Sequence, residues 1–138
     1  MSSEHALLRT LLFAPANDPR KTRKLPLVGA DVFVLDLEDA VAESAKDVAR
    51  ALAVEALDQL VAPGAAVRVN GVETPHFERD IEAVVRPGLT RIVVPKVETL
   101  EVLRTVDDAL KATERARALE STRRRKVPHC GRDSAPAR

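Results

Sequence analysis

The stretch Val32-Phe33-Val34-Leu35-Asp36-Leu37-Glu38-Asp39-Ala40 decides how this chain of 138 residues is interpreted. Its apolar first part is typical of a strand covered on both faces, as in parallel sheets. Three carboxylates, Asp36, Glu38 and Asp39, follow that part directly. Burying a carboxylate is costly unless it is paired or bound to a metal, so acids where a strand emerges from a sheet indicate a site. Alternatively, they cap the next helix and occupy its first turn, where the helix dipole favours negative charge.

The composition fits one ordinary globular domain. Hydrophobic residues make up 45% of the chain, enough for a core, and the net charge is +1. The single cysteine, Cys130, excludes an intrachain disulfide and a cysteine-rich zinc site. The absence of Trp and Tyr argues against a nucleic-acid interface built on stacked aromatic rings. We expect a cytoplasmic protein, since the sequence shows neither a signal peptide nor an apolar run that approaches the length of a membrane span.

Strand-like and helix-like segments alternate along the chain. The predicted strands cover residues 8–14, 32–37, 65–70 and 91–95. The predicted helices cover residues 20–28, 43–60, 74–85 and 98–118. Asn17 or Asp18 is expected to cap the first helix, which Pro26 kinks or shortens, and Thr74 the third. Four successive βα units predict an α/β fold with a parallel sheet and right-handed crossovers, about half of the eight units of a TIM barrel.

Apolar residues at roughly helical spacing predict the buried faces of two helices. In the second helix they are Val48, Leu52, Val54, Leu57 and Leu60. In the fourth helix they are Leu100, Leu103, Val106 and Leu110.

The alternating pattern ends near Glu120. We interpret residues 1–120 as the half-barrel and residues 121–138 as a basic, disordered tail. The arginine-rich run at 123–126 could bind nucleic acid or an anionic membrane, but without aromatic residues or a binding fold we expect neither partner. His129 and Cys130 lie in this polar tail and do not indicate a metal or thiol site.

Polar side chains also end the third and fourth predicted strands. Arg68 and Asn70 end the third strand, and Lys96 follows the fourth. Ligands in parallel α/β folds bind beyond the carboxyl ends of the strands. A guanidinium can hold a carboxylate through two parallel hydrogen bonds, so the series predicts an anionic substrate held by Arg68 and Lys96 beside an acidic cluster. That cluster could bind a divalent cation, which prefers oxygen ligands.

Each of these residues also has a simpler interpretation. Arg68 in an ordinary strand would form an edge or interface ion pair, and Lys96 would lie in a solvated loop. Glu98 is interpreted as an acid near the start of the fourth helix. His76 is interpreted as a surface residue, because it follows a turn proline at the start of the third helix.

Four motifs, in order and at matching spacing, resemble the HpcH/HpaI aldolase and citrate lyase β-subunit family over roughly residues 8–118. The first motif is Arg9-Thr10-Leu11-Leu12-Phe13-Ala14-Pro15, and the second is Leu35-Asp36-Leu37-Glu38-Asp39-Ala40-Val41, which Lys46 and Arg50 follow. The third motif is Val67-Arg68-Val69-Asn70, and the fourth is Val94-Pro95-Lys96-Val97-Glu98. The resemblance implies a TIM-barrel lyase, usually Mg²⁺-dependent. Such an enzyme forms or cleaves a carbon–carbon bond in malyl-, citramalyl- or citryl-CoA-type thioesters, or in related 2-keto acids, through an enolate. We therefore expect a small acyl-CoA or keto-acid substrate and a homo-oligomer.

The resemblance also implies roles for individual residues. Arg68 would bind the carboxylate or keto-acid oxygens of the substrate. The candidate catalytic residues at the same mouth are Asp36, Glu38, Asp39 and Lys96. The candidates for contact with the CoA phosphates, in the first βα loop, are Asn17, Arg20 and Lys21.

The chain departs from the family pattern where a metal ligand is expected. The resemblance places the two direct Mg²⁺ ligands, a Glu and an Asp, on the fifth and sixth strands of the barrel. Residues 123–130 read Arg-Arg-Arg-Lys-Val-Pro-His-Cys in the stretch where the Glu is expected, so no metal ligand is assignable. The change of character after about Ser121 suggests a truncated or frameshifted product. The alternative to an active lyase is therefore an inactive fragment with at most a structural or oligomeric role.

Overall fold

The computed structural model describes residues 8–60 and 64–117. Four strands, β1 (Leu11–Pro15), β2 (Val32–Asp36), β3 (Ala65–Arg68) and β4 (Arg91–Val93), form one parallel sheet in chain order. The α-helices are α1 (Pro19–Thr22), α2 (Lys46–Gln59), α3 (Phe77–Val84) and α4 (Leu100–Ala116). Two short 3₁₀ helices span Leu25–Leu27 and Glu43–Ala45. The predicted α/β fold of four βα units is confirmed, while the predicted tail lies outside the described residues.

The parallel register brings the polar strand ends together. Asp36 is level with Pro15 of β1 on one side and with Arg68 of β3 on the other. Arg68 is in turn level with Val93 of β4. Because all four strands run the same way, the loops that leave their carboxyl ends meet at one edge of the sheet, where α/β folds place their sites.

Side-chain alternation gives the sheet two faces. Leu35 and Val67 lie on the face that packs against the helices in the main core. Val34 and Ala66 lie on the other face, in a smaller apolar cluster. All five residues of β2 are buried, as its apolar sequence predicts.

The helix ends differ from the sequence prediction in two places. The predicted first helix divides into α1 and the 3₁₀ helix Leu25–Leu27, which contains Pro26. Asp18 caps α1, as predicted, because its side chain accepts hydrogen bonds from two backbone N–H groups. Thr74 does not cap α3. Its hydroxyl donates to the carbonyl of Gly71 (2.8 Å), which closes a turn, and α3 begins after His76.

The predicted apolar stripes are only partly correct. The buried face of α2 carries Ala49 and Ala53, whereas Val48 is 58% exposed. In α4 Val106 is buried, but Leu100 and Leu103 are mostly exposed. Ala49 and Ala53 belong to the main core together with Leu35 and Val67, so hydrophobicity alone does not locate the packed face of α2. Among the described residues, no helix is long and apolar enough to cross a bilayer.

Candidate functional site

An ion pair between two strand ends lies at the centre of the candidate site. Arg68 donates from Nε to Asp36 Oδ1 (2.8 Å) and from Nη2 to Asp36 Oδ2 (2.7 Å), a two-pronged geometry that fits a carboxylate. Asp36 also accepts the backbone N–H groups of Glu38 (2.9 Å) and Ala40 (3.1 Å). Its side chain is 1% exposed. Both oxygens of Asp36 are therefore engaged, and the carboxylate fixes the orientation of Arg68.

The surroundings keep both members of this pair charged. Burial by itself raises the pKa of Asp36, but hydrogen bonds from Arg68 and from backbone N–H groups outweigh it, and the pKa lies below its ordinary value. The hydrogen bond with Asp36 raises the pKa of Arg68. This environment suits Asp36 to hold a guanidinium in place rather than to exchange a proton during a reaction.

Two further groups surround the Arg68 guanidinium. It lies over the ring of Phe13 on β1, 5.0 Å from the ring centroid, a distance typical of a cation–π contact. Its Nη1 is 3.4 Å from Glu38 Oε2. Sequence reasoning missed Phe13, because an apolar residue in a strand carries no chemical signal of this contact. The alternation of side chains along β1 could have separated it from the core-facing Leu12 and Ala14.

Glu38 lies between two cations. Its side chain is 11% exposed, and its Oε1 is 3.8 Å from Lys96 Nζ. Lys96 is 67% exposed and has a φ of +54°, in the left-handed region that residues other than glycine rarely adopt. Asp39, the third predicted acid, is exposed. The structure thus brings Arg68, Glu38 and Lys96 together at the strand ends, as the sequence predicts.

A buried lysine supports the loop that carries Glu38. Lys46, the first residue of α2, donates from Nζ to the carbonyls of Leu37 (2.8 Å) and Glu38 (2.7 Å) and to Asn70 Oδ1 (2.7 Å). It is 8% exposed. An ammonium has three protons, and each has an acceptor here. Lys46 therefore ties the β2 loop to the end of β3.

A second buried network holds Asn70. Asp80 on α3 accepts the backbone N–H (2.9 Å) and side-chain Nδ2 (2.6 Å) of Asn70, and it also accepts Arg50 Nε (2.8 Å). Asp80 is 1% exposed. Burial lowers the pKa of Arg50, but hydrogen bonds to Asp47 and Asp80 outweigh it and raise the pKa. The polar network thus connects α2, α3 and the two central strands.

The sequence contains one signal that could have found Asp80. Three apolar residues recur at helical spacing on α3 and are buried: Phe77, Ile81 and Val84. Asp80 falls inside that stripe, and a carboxylate on an apolar helix face requires a partner.

An open pocket of about 350 Å³ lies beside these residues. The polar residues that line it include Glu38, Asp39, Lys46, Asn70, His76 and Lys96. His76 is not the solvent-exposed residue that the sequence predicts. Its side chain is 12% exposed, and its Nε2 lies 2.6 Å from Glu43 Oε1.

The residues predicted to contact CoA phosphates lie on the first βα unit, outside this pocket. Arg20 and Lys21 are exposed on α1, and Asn17 is partly buried just before it. Lys21 Nζ is 3.5 Å from Asp18 Oδ2. Their role in cofactor binding stays a prediction.

The described residues do not fit a magnesium site. Within 8–60 and 64–117, no group of three or more His, Cys, Asp or Glu residues could hold a metal ion. The oxygens of Asp36 are engaged by four donors, and Glu38 faces two cations, which repel a divalent ion. The stretch 123–130, where the resemblance leads us to expect a metal ligand, lies outside the described residues.

Comparison with known proteins identifies the family. The family model for HpcH/HpaI aldolase/citrate lyase matches residues 9–125. The chain belongs to the HpcH/HpaI aldolase/citrate lyase family. The citrate lyase subunit beta of Leuconostoc mesenteroides subsp. cremoris is 40% identical over 112 residues, which cover 79% of this chain and 37% of that protein. The human mitochondrial citramalyl-CoA lyase is 34% identical, over 86% of this chain and 37% of that protein.

Solved structures show the same fold. Protein CitE from Mycobacterium tuberculosis, in complex with magnesium and acetate, is 35% identical with a TM-score of 0.60, and the match covers 70% of this chain and 39% of that one. The citrate lyase beta subunit from M. tuberculosis, complexed with oxaloacetate and magnesium, is 32% identical with a TM-score of 0.55, over 70% and 42%. This member of the family thus forms part of a TIM-barrel-like lyase fold, and it spans about 37% of the length of the curated relatives.

Proposed function

We propose that this chain supplies the anion-binding part of a carbon–carbon lyase. The substrates would be malyl-, citramalyl- or citryl-CoA-type thioesters, or related 2-keto acids. Family membership supports this class, since relatives are named citrate lyase, citramalyl-CoA lyase and malyl-CoA lyase. One observation carries the proposal: Asp36 orients the Arg68 guanidinium at the carboxyl ends of the strands.

The proposed reaction develops negative charge that a cation at the position of Arg68 would stabilise. Retro-aldol cleavage leaves negative charge on the carbonyl oxygen of the departing acyl group. A guanidinium that is already oriented stabilises such charge without reorganising during the reaction. Arg68 would bind the carboxylate or keto oxygens, and the exposed Lys96 ammonium would add positive charge beside it. Asp36 would hold Arg68 in place throughout.

Cofactor binding is part of the same proposal. Two neighbouring M. tuberculosis structures contain magnesium, one together with oxaloacetate and the other with acetoacetate and coenzyme A. Magnesium supplies Lewis-acid chemistry when bound, but the residues described here do not provide its ligands. Arg20 and Lys21 are exposed cations that could contact CoA phosphates, with Asn17 next to them.

A second candidate function is a structural one. Residues 123–130, where the resemblance places the magnesium-ligating Glu, contain neither Glu nor Asp, and this favours an inactive fragment that associates with other copies of itself. The sheet supports that candidate, because β1 and β4 are its edge strands within the described residues. We propose a homo-oligomer in either case.

A lyase assay separates the two candidates. The purified chain is incubated with malyl-, citramalyl- or citryl-CoA and Mg²⁺, and the release of the acyl-CoA product is measured. The lyase proposal predicts turnover with one of these thioesters and a loss of at least about 100-fold in Arg68→Ala, measured on a chain that circular dichroism shows to be folded. Glu101→Gln, at an exposed position on α4, is the control and should retain full activity. A folded wild-type chain with no turnover on any of the three would favour the structural candidate.

A further inference from the structure

Glu38 contacts the same two cations that the proposed function assigns to the substrate. Its Oε2 lies 3.4 Å from Arg68 Nη1, and its Oε1 lies 3.8 Å from Lys96 Nζ. One carboxylate therefore lies close to both positive groups at the strand ends. A substrate carboxylate that binds Arg68 and Lys96 needs the same neighbourhood.

The two acids that contact Arg68 hold it in different ways. Asp36 accepts two hydrogen bonds of 2.7 and 2.8 Å from Arg68 and two more from backbone N–H groups. These four hydrogen bonds fix its carboxylate. Glu38 makes only the longer approach of 3.4 Å to Arg68, close to the limit of hydrogen-bond length. Its second approach is to a lysine that is 67% exposed. Glu38 can therefore leave Arg68 without disturbing the Asp36 pair.

The backbone of Glu38 is held independently of its side chain. Its N–H donates to Asp36 Oδ1 (2.9 Å), and its carbonyl accepts from Lys46 Nζ (2.7 Å). Only the side chain is thus free to change its contacts, and it borders the open pocket.

We propose that Glu38 is an exchangeable counter-ion that occupies the anion site of Arg68 and Lys96 until a substrate carboxylate replaces it. The inference rests on the proposed function, in which Arg68 binds the anionic end of the substrate. Glu38 then lowers the affinity for anions, and it selects ligands whose negative charge bridges Arg68 and Lys96. Removing a residue that supports anion binding would weaken that binding. Removing the charge of Glu38 should strengthen it.

Calorimetric titration with oxaloacetate, without metal, tests this role. Glu38→Gln keeps the size of the side chain and removes its charge. We expect the dissociation constant for oxaloacetate to fall about three- to tenfold relative to the wild-type chain. Glu38→Ala should change it in the same direction. Glu55→Gln raises the net charge of the chain by the same amount at an exposed position nine residues beyond Lys46 on α2, and it should leave the dissociation constant within about twofold.

The possible outcomes distinguish a failure of the counter-ion role of Glu38 from a failure of the proposed anion site at Arg68. Tighter binding by Glu38→Gln, with the affinity of Glu55→Gln unchanged, supports the exchange. Equal or weaker binding by Glu38→Gln, beside a wild-type chain that binds oxaloacetate, overturns the counter-ion role and leaves the anion site standing. If the wild-type chain and both Glu38 variants are folded and none binds, the counter-ion role and the anion site at Arg68 are both wrong.

Discussion

Asp36 and Arg68 depend on each other at the scale of single residues. Asp36 is almost completely buried, and the guanidinium of Arg68 supplies the positive charge that makes this burial tolerable. Arg68 in turn has its orientation fixed by Asp36 and by the ring of Phe13. The pair therefore contributes both to stability and to the geometry of the proposed anion site.

Asp36→Asn should destabilise the fold. It leaves Arg68 without its charged partner and weakens the bonds to two backbone N–H groups, so we expect a loss of about 2–3 kcal/mol in the free energy of unfolding. Urea denaturation at pH 7 measures this loss. Asp47→Asn is the matched control, because Asp47 is 78% exposed and its solvent-screened pair with Arg50 should contribute far less than the buried Asp36 pair. Equal stabilities of the two variants would contradict this role of Asp36.

The contribution of Asp36 should depend on pH in a defined direction. Because the pKa of Asp36 in the folded chain lies below the unfolded value of about 3.9, folding favours its charged form. The stabilisation is complete above the unfolded pKa and is lost as pH falls through the lower, folded pKa. The difference in unfolding free energy between wild type and Asp36→Asn should therefore shrink below about pH 4. A difference that stays constant from pH 7 to pH 3 would assign the stabilisation to another group.

At the scale of secondary-structure elements, Lys46 connects three segments. It joins the start of α2 to the loop after β2 and to Asn70 after β3. The buried ammonium of Lys46 thus fixes the loop that carries Glu38 through hydrogen bonds to two carbonyls of that loop. Any loosening of this connection should be detectable first in that loop.

Lys46→Met tests the connection. The carbonyl of Glu38 and the Oδ1 of Asn70 lose a donor, whereas the carbonyl of Leu37 keeps the Nδ2 of Asn70 (3.0 Å). We expect a loss of about 2–4 kcal/mol and faster hydrogen exchange at the backbone amides of residues 37–41. Lys24→Met, at an exposed lysine, should change neither quantity. Unchanged exchange in residues 37–41 would show that Lys46 does not hold the loop.

The order of elements and the charged strand ends could be predicted from the sequence, because periodicity and polar termini are local features. The grouping of Arg68, Glu38 and Lys96 at one edge of the sheet was predicted in this way, whereas their role in a site stays a prediction. The roles of Phe13, Lys46 and Asp80 were not predicted, since each has at least one partner more than 20 residues away along the chain. These partners are Arg68, Asn70 and Arg50, in that order. Val48 illustrates the same limit for packing, because α2 enters the core through its alanines while Val48 is exposed.

At the scale of the whole molecule, the sheet has two edges. Within the described residues, β1 and β4 each pair with only one neighbouring strand. Leu11 and Phe13 on β1 are 50% and 43% exposed, which adds apolar surface to an edge that can pair with another strand.

We expect this chain to associate with itself. A charge on an edge strand disfavours strand pairing, so Leu11→Lys should reduce the mass observed by size-exclusion chromatography with light scattering. Glu55→Lys, at an exposed position on α2, is the control and should leave the mass unchanged. A sharp monomer peak for the wild-type chain, together with cooperative unfolding, would contradict this expectation.

The central claim is that Arg68 is the anchor for an anionic substrate, and oxaloacetate titration of a double variant tests it most directly. Asp36→Asn combined with Arg68→Met removes both charges, so neither is left buried without a partner and the chain should still fold. We predict that the folded wild-type chain binds oxaloacetate and that the dissociation constant rises at least about tenfold in the folded double variant. Equal affinity of the two chains would contradict the claim.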